Sequence, residues 1–201
     1  MENKSPNKQE ERSRATREKL VAAARGLFAT RGYAAVGTEE IVRAAGVTRG
    51  ALYHQFRDGK EELFEAVFEL VEAETTQRIA EIALTGATDP VAALRNGARA
   101  FLEICAEPEI ERVALLDAPS VLGWARWREI GFRYGLGLVA ATLQAGIDAG
   151  AIAPQPVTPL AHLLLGALDE GALYVARAED PDTARAEVEV VVNGLIDGLV
   201  S

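Results

Sequence analysis

Cysteine is almost missing from this chain of 201 residues: Cys105 is the single one. One thiol excludes an internal disulfide framework and any metal site made of several thiolates. Histidine is nearly as scarce, with two. A zinc site would have to combine His162 and Cys105 with acids that show no motif spacing, and no glycine loop of either nucleotide-cradling type is present. Acid pairs such as Glu61-Glu62 and Asp169-Glu170 are adjacent, so on a helix they diverge and make poor acid/base partners. Catalysis is therefore not expected, nor any cofactor or metal. No apolar run nears the ~18 residues that cross a bilayer. The first thirty residues carry charge where a secretory signal would carry an apolar core. The expectation is a cytoplasmic protein with no membrane contact.

Lysine is absent beyond Lys60. Residues 1–60 hold 12 Lys/Arg against 7 Asp/Glu, a balance of +5, whereas residues 61–201 hold 9 against 23, a balance of −14. A basic first third on an acidic body points to one end that meets a polyanion while the remainder repels it. A purely structural, nucleoid-type DNA binder would carry basic charge throughout, which this chain does not.

Strand patterns are also rare. Val188-Glu189-Val190 alternates, but the wider set Ala184, Val188, Val191, Leu195 and Leu199 keeps helical spacing, so that segment is read as helix. The chain reads as all-α, with about nine helices, Pro and Gly serving as punctuation. Residues 1–14, charged and without apolar periodicity, read as a disordered tail. Residues 15–60 form a three-helix domain and residues 61–201 a larger helical body. The first helix, Thr16 to Arg31, buries Leu20, Ala24, Leu27 and Phe28 as one stripe. Thr38 is read as the cap of a short helix with inner face Ile41, Ala44 and Ala45, stopped by Gly46. Thr48 caps a third helix that buries Leu52 and Phe56, and Asp58-Gly59 breaks it. In the body, a helix continues to about Leu84. Asp89-Pro90 starts the next, on which Val91, Leu94, Ala98, Phe101 and Cys105 share a face. Pro108 opens a short helix that Pro119 closes. A long helix over Gly123–Ala149, a loop over Gly150–Pro156, and helices over Thr158–Ala178 and Pro181–Val200 complete the chain.

Residues Thr38 to Phe56 carry the clearest chemistry. Two short helices joined by a glycine turn make a helix-turn-helix, whose second helix lies in a DNA major groove. Thr38 and Thr48 stand at helix N-termini, where free amides and a hydroxyl hold a phosphate. Arg49 leads the second helix, and its fork matches guanine O6 and N7. Gly50 lets the backbone approach the duplex, and Ala51 suits a thymine methyl. Tyr53 and His54, one turn on, offer donors to phosphate oxygens.

The run GLFATRGYAAVGTEEIVRAAGVTRGALYHQF, followed by a Lys-Glu-x-Leu-Phe helix, resembles the DNA-binding domain of TetR/AcrR-type repressors over residues 16 to about 68. The remainder matches that family only in length and helicity. The resemblance implies that Thr38, Thr48, Tyr53, His54 and Lys60 touch phosphates, that Arg49, Gly50 and Ala51 face bases, and that Leu52 and Phe56 are core. One departure stands out: Arg57, Asp58 and Gly59 separate Phe56 from Lys60, where the family usually has two residues. Either Lys60 or Arg57 then takes the phosphate.

The same resemblance implies a body that dimerises and senses a small molecule. The last two helices interleave Leu, Val and Ala with Gly166, Ala167, Gly171, Ala172 and Gly194-x-x-x-Gly198, so they are expected to pair with their copies as a four-helix bundle. Phe101, Trp124, Trp127, Phe132, Tyr134 and Tyr174, with His162 and Asp169 as polar anchors, are the candidates for the wall of a hydrophobic effector site. The function expected is a homodimeric repressor on a pseudo-palindromic double-stranded operator, released by a small hydrophobic effector. Strengthened binding on effector uptake is the alternative.

Overall fold

The computed structural model describes residues 8–200. These residues are helical throughout, apart from connecting turns and one isolated antiparallel bridge between Ile152 and Val200. Nine helices follow one another among them: α1 (Lys8–Arg31), α2 (Thr38–Ala45), α3 (Arg49–Gln55), α4 (Lys60–Leu84), α5 (Pro90–Cys105), a composite α6, α7 (Trp124–Asp148), α8 (Val157–Ala176) and α9 (Pro181–Asp197). Contacts divide the chain into two units between Leu70 and Val71. The boundary expected at residue 60 moves because Leu63, Phe64, Val67 and Phe68, all fully buried, belong to the core of the first unit.

In the first unit α1 starts earlier than its apolar stripe. Residues 1–7 of the expected tail lie outside the described residues, but residues 8–14 are helix, contrary to expectation. Extending an existing helix needs no new nucleus. Glu10 and Glu11 sit in the first turn, where the helix dipole favours acids. Ser13 accepts a 2.8 Å hydrogen bond from the Gln55 amide of α3. Leu20, Ala24 and Phe28 are buried as the spacing predicts, and Leu27 is half-buried. Phe28, Tyr33 and Phe64 pack as a ring cluster with centroids 5.1–5.7 Å apart.

The second unit holds Val71–Leu84 of α4 and all of α5–α9. Its core joins Val91, Leu94 and Ala98 of α5 to Leu143 of α7, Ala161 and Leu168 of α8, and Val192 and Ile196 of α9. Asp89 caps α5 as expected, accepting from the Ala92 amide at 2.8 Å ahead of Pro90. α6 departs from expectation. It consists of Pro108–Ile110, a wider π-type coil over Glu111–Asp117, and Ala118–Val121, so Pro119 lies inside the run and does not close it. The break comes at Gly123, with φ 79°. On α9 the helical reading holds, but the buried line is Ala184, Val192 and Ile196. Val191 is exposed, and Leu195, half exposed, lies at the rim of a cavity within this unit.

Candidate functional site

The turn between α2 and α3 is built by local chemistry. Gly46 adopts φ 65°, the left-handed region that costs glycine least, and its amide donates to the Arg43 carbonyl at 3.2 Å. The Val47 amide returns to Val42. Thr48 then caps α3, its hydroxyl accepting from the Ala51 amide at 3.2 Å. Leu52 and Phe56 are buried as expected. Two readings of α2 change. Gly37, not Thr38, occupies the cap position, and Thr38 is the first helical residue with no side-chain cap bond. Ala44 is exposed, because Val42 joins Ile41 on the inner face.

The leading edge of α3 is open. Arg49, Gly50, Tyr53 and His54 are exposed and Ala51 is half-buried. Arg49 lies 3.7 Å from Glu39 and 5.7 Å from the Tyr53 ring centre, both of them surface contacts worth little. A methyl built on Gly50 would meet only the Thr48 hydroxyl, at 3.9 Å. Nothing within the protein requires a glycine there.

The extra residue after Phe56 is absorbed in a turn. The Gly59 amide donates to the Phe56 carbonyl at 3.1 Å, Gly59 takes φ 68°, and the Asp58 amide donates to the Glu62 carboxylate. The Tyr53 ring packs so close to Gly59 that a Cβ there would lie 3.1 Å from Cε1. Lys60 consequently points inward. Its ammonium donates to the carbonyls of Tyr33 and Val36, each at 3.0 Å, and sits 3.9 Å from the Tyr33 ring centre. That engagement commits two of the three Lys60 ammonium hydrogens to carbonyls of the protein itself. Arg57, exposed in the turn, is the cation left facing solvent there.

The second unit encloses a cavity of about 100 Å³ among α4–α9. Most of its wall is aliphatic, with Phe101 and Trp127 contributing rings. Trp127 is buried, and its indole N–H donates to the Ala114 carbonyl at 2.8 Å. One corner is polar and contains Glu72, Thr75, Arg128 and Asp169. Arg128 pairs with Asp169 at 2.9 Å and lies 4.4 Å from the Phe132 ring centre. It also packs on Gly166, where a Cβ would come within 3.1 Å of its guanidinium. Burial, and then the nearby Asp169 charge, push Glu72 up to about 8. Burial raises Asp169 to about 7 despite the Arg128 partner, with Glu170 adding to the rise. The Thr75 hydroxyl is buried and has no hydrogen-bond partner.

Residues 20–67 match the family described as bacterial regulatory proteins, tetR family, and residues 91–199 match the tetracyclin repressor-like C-terminal domain. The chain belongs to the TetR family. It is similar over its full length to a TetR-family transcriptional regulator from Pectobacterium atrosepticum, whose crystal structure superposes with a TM-score of 0.84 at 33% identity, covering 97% of this chain and 98% of that one. The transposon Tn10 TetC protein of Escherichia coli is 26% identical over 200 residues, 98% of this chain and 97% of TetC. RolR, solved in complex with resorcinol, shares the fold with a TM-score of 0.72 at 20% identity, covering 94% of each chain. This chain is thus a TetR-family transcriptional regulator with a helix-turn-helix DNA-binding domain, in a family of regulators rather than enzymes.

Within this TetR-family body, three of the eight residues expected at an effector site, Phe101, Trp127 and Asp169, line the cavity, and five do not. Trp124 is half exposed at the start of α7, tilted against Trp127 at 4.7 Å. Phe132 and His162 pack edge to face at 4.7 Å away from the cavity wall. Tyr134 is half-buried outside it, and Tyr174 is exposed on α8. Glu72, Thr75, Thr76, Arg128 and Thr142 are polar lining residues that the sequence did not reveal. Glu72 stands between Glu69 and Glu74 in a helix rich in acids. The one available signal was its position three residues before Thr75 on a helix whose other apolar faces were already assigned.

The small residues of α8 also have a different job from the one expected. Gly166 accommodates Arg128, Ala167 lines the cavity, and Ala172 is buried. Gly171 faces Val188 of α9 so closely that a Cβ would lie 2.8 Å from it. They close the subunit itself. Gly194 and Gly198 of the α9 segment are exposed, and a Cβ on Gly194 would meet nothing within 4 Å. Among the described residues no helix is long and apolar enough to cross a membrane.

Proposed function

We propose that this regulator is a cytoplasmic, ligand-responsive repressor that binds a pseudo-palindromic operator as a homodimer. The observation that carries the reading is the bare leading edge of α3: an exposed Arg49 beside a glycine that the fold itself does not need. In a major groove, Arg49 reads guanine while Gly50 and Ala51 allow the backbone to approach. Thr48, Thr38, Tyr53, His54 and Arg57 hold phosphates around it.

Dimerisation is supported by apolar exposure on the two last helices. Leu163 and Tyr174 lie eleven residues apart, three turns along one face of α8, at 72% and 56% exposure. Val190 and Val191 of α9 are 72% and 64% exposed. An apolar face of this kind marks an interaction surface. A second copy, related by a twofold axis, covers it and supplies the second reading head.

Ligand response is supported by the mostly apolar cavity with its charged corner. An apolar cavity of about 150 Å³ holds a benzene ring, so this one, at about 100 Å³, has to widen to take a single ring. RolR, alike in fold, was solved with a one-ring ligand, resorcinol. An effector that binds better to a form whose reading heads are wrongly spaced lowers operator affinity by that difference alone. The test is fluorescence anisotropy on a duplex chosen by selection, titrated with single-ring hydrophobic compounds while Trp fluorescence is followed. Release of the duplex together with quenching of Trp127 supports the reading. Tight duplex binding that no cavity-filling compound alters overturns the ligand-response part.

A further inference from the structure

With every group ionised, the cavity's polar corner would carry one negative charge in excess, and it stays neutral when empty because Glu72 keeps its proton. Two carboxyl groups, Glu72 on α4 and Asp169 on α8, face one guanidinium, Arg128 on α7. Arg128 is already used: it pairs with Asp169 at 2.9 Å and is held against the Phe132 ring and Gly166. Glu72 therefore has no basic partner. The buried Thr75 hydroxyl, one helical turn from it, lacks any hydrogen-bond partner. The remaining titratable group of the wall, the Cys105 thiol on α5, is buried with its pKa pushed up and brings no positive charge.

An anion entering this corner meets two acids and finds the only guanidinium occupied. A purely apolar ligand leaves the Thr75 hydroxyl unpaired. A protonated amine does neither. Its N–H groups donate to the Glu72 carboxylate and to the Thr75 oxygen, and its charge replaces the proton that Glu72 gives up, so the corner stays neutral. Resting on the ligand-responsive reading above, we infer that the effector is a small organic cation, a single-ring primary or secondary amine whose ammonium docks between Glu72 and Thr75 while its ring lies against Phe101 and Trp127.

The state of Glu72 gives this site a signature. In the empty cavity burial and Asp169 hold its carboxyl protonated at neutral pH. An arriving ammonium favours the carboxylate, so binding at pH 7 expels a proton to the buffer, close to one per ligand. A neutral ligand expels none.

Isothermal titration of the full chain with phenethylamine, 2-phenylethanol and 3-phenylpropanoate, in two buffers of different ionisation heat, separates the cases. The amine is expected to bind at least tenfold more tightly than the alcohol or the acid, with about one proton released at pH 7. In Glu72→Gln the amine loses at least tenfold in affinity and the proton release falls to the smaller share that Asp169 supplies, while the alcohol changes less than threefold. If the alcohol or the acid binds as tightly as the amine and releases the operator, the cation assignment falls and the ligand-responsive reading stands. If none of the three binds to wild-type protein that remains folded and dimeric, the cavity is not an effector site of this size and both fall. Amine binding without proton release, or undiminished in a folded Glu72→Gln, also overturns the assignment.

Discussion

The indole of Trp127 hydrogen-bonds the Ala114 carbonyl at 2.8 Å, and that carbonyl is the one Pro119 leaves unserved. Through the π-type coil the amides bond five residues back, as the Ala118 amide does to Val113. The next amide in that register would be Pro119's, directed at Ala114, and proline has no N–H. Trp127 supplies the missing donor from α7, which is why the proline sits inside the helix instead of ending it. It also fixes the ring that walls the cavity.

Replacing Trp127 by Phe keeps an aromatic ring and deletes this donor. The expected cost is about 1–3 kcal/mol of stability, since a buried carbonyl is left unpaired. Adding Pro119→Ala restores an N–H in the right register, so the double variant should recover part of the loss. Urea melts of the four proteins in this cycle check it. Full additivity would mean that the two residues do not share the Ala114 carbonyl.

Lys60 should matter to folding rather than to salt-dependent DNA binding. Its ammonium serves the Tyr33 and Val36 carbonyls. Lys60→Met is expected to lower stability by about 1–3 kcal/mol and to leave the log–log salt slope of operator binding unchanged. Arg57→Ala should reduce that slope by about 1 without a stability loss. Binding titrations from low to moderate salt compare them.

Gly50→Ala separates fold from function. The site has room for a methyl, and alanine is favoured over glycine within a helix by up to about 1 kcal/mol. The melting temperature should stay level or rise, while operator affinity falls. Arg49→Ala should cost roughly 1–3 kcal/mol of binding and relax discrimination at one base pair. Affinity and base preference measured on a set of point-substituted duplexes check both.

The half-buried acids Glu72 and Asp169 make the protein less stable in alkali. Glu72 in the folded chain holds its proton up to about 8, against 4.5 as its ordinary value, and Asp169 to about 7, against 3.8. Between those limits the folded state binds more protons than the unfolded one, so the contribution is fully present below about pH 4 and is lost as pH rises through 7 and 8. Thermal melts should show a falling melting temperature from pH 6 to 9. Glu72→Gln, which cannot ionise, should flatten a large part of that fall.

Charge on the exposed face of α9 should break the assembly. Val190→Asp places a carboxylate on a residue that is 72% exposed in the lone subunit, so the subunit's own fold should tolerate it. Sedimentation is expected to show monomers with unchanged helicity and greatly weakened operator binding. A variant that remains dimeric would move the interface elsewhere.

Several helix boundaries were legible in the sequence because each has its own chemical mark. Thr48, Gly46 and the Asp89-Pro90 pair act through backbone bonds that any cap of that type makes. Thr38 was displaced by one residue because Gly37 can take the cap geometry itself. Cavity residues were harder to read for a different reason. Periodicity marks an apolar face but not what the face meets, so Tyr174, His162 and Trp124 fit an effector wall as well as Phe101 and Trp127 did. The π-type coil was hidden because its cause is a long-range bond from Trp127. Glu72 was hidden because an acid that lines a cavity and a solvated one look alike in a helix rich in glutamates.

Selection of bound duplexes from a random pool by the full chain, with the stoichiometry of the winning complex read by sedimentation, tests the central claim most directly. The account predicts an inverted repeat whose half-sites lie one or more helical turns apart, occupied by two chains. It also predicts affinity that falls steeply with salt and one guanine position that loses its preference in Arg49→Ala. Recovery of no sequence at low ionic strength, or of a single unrepeated element held by one chain, would contradict it.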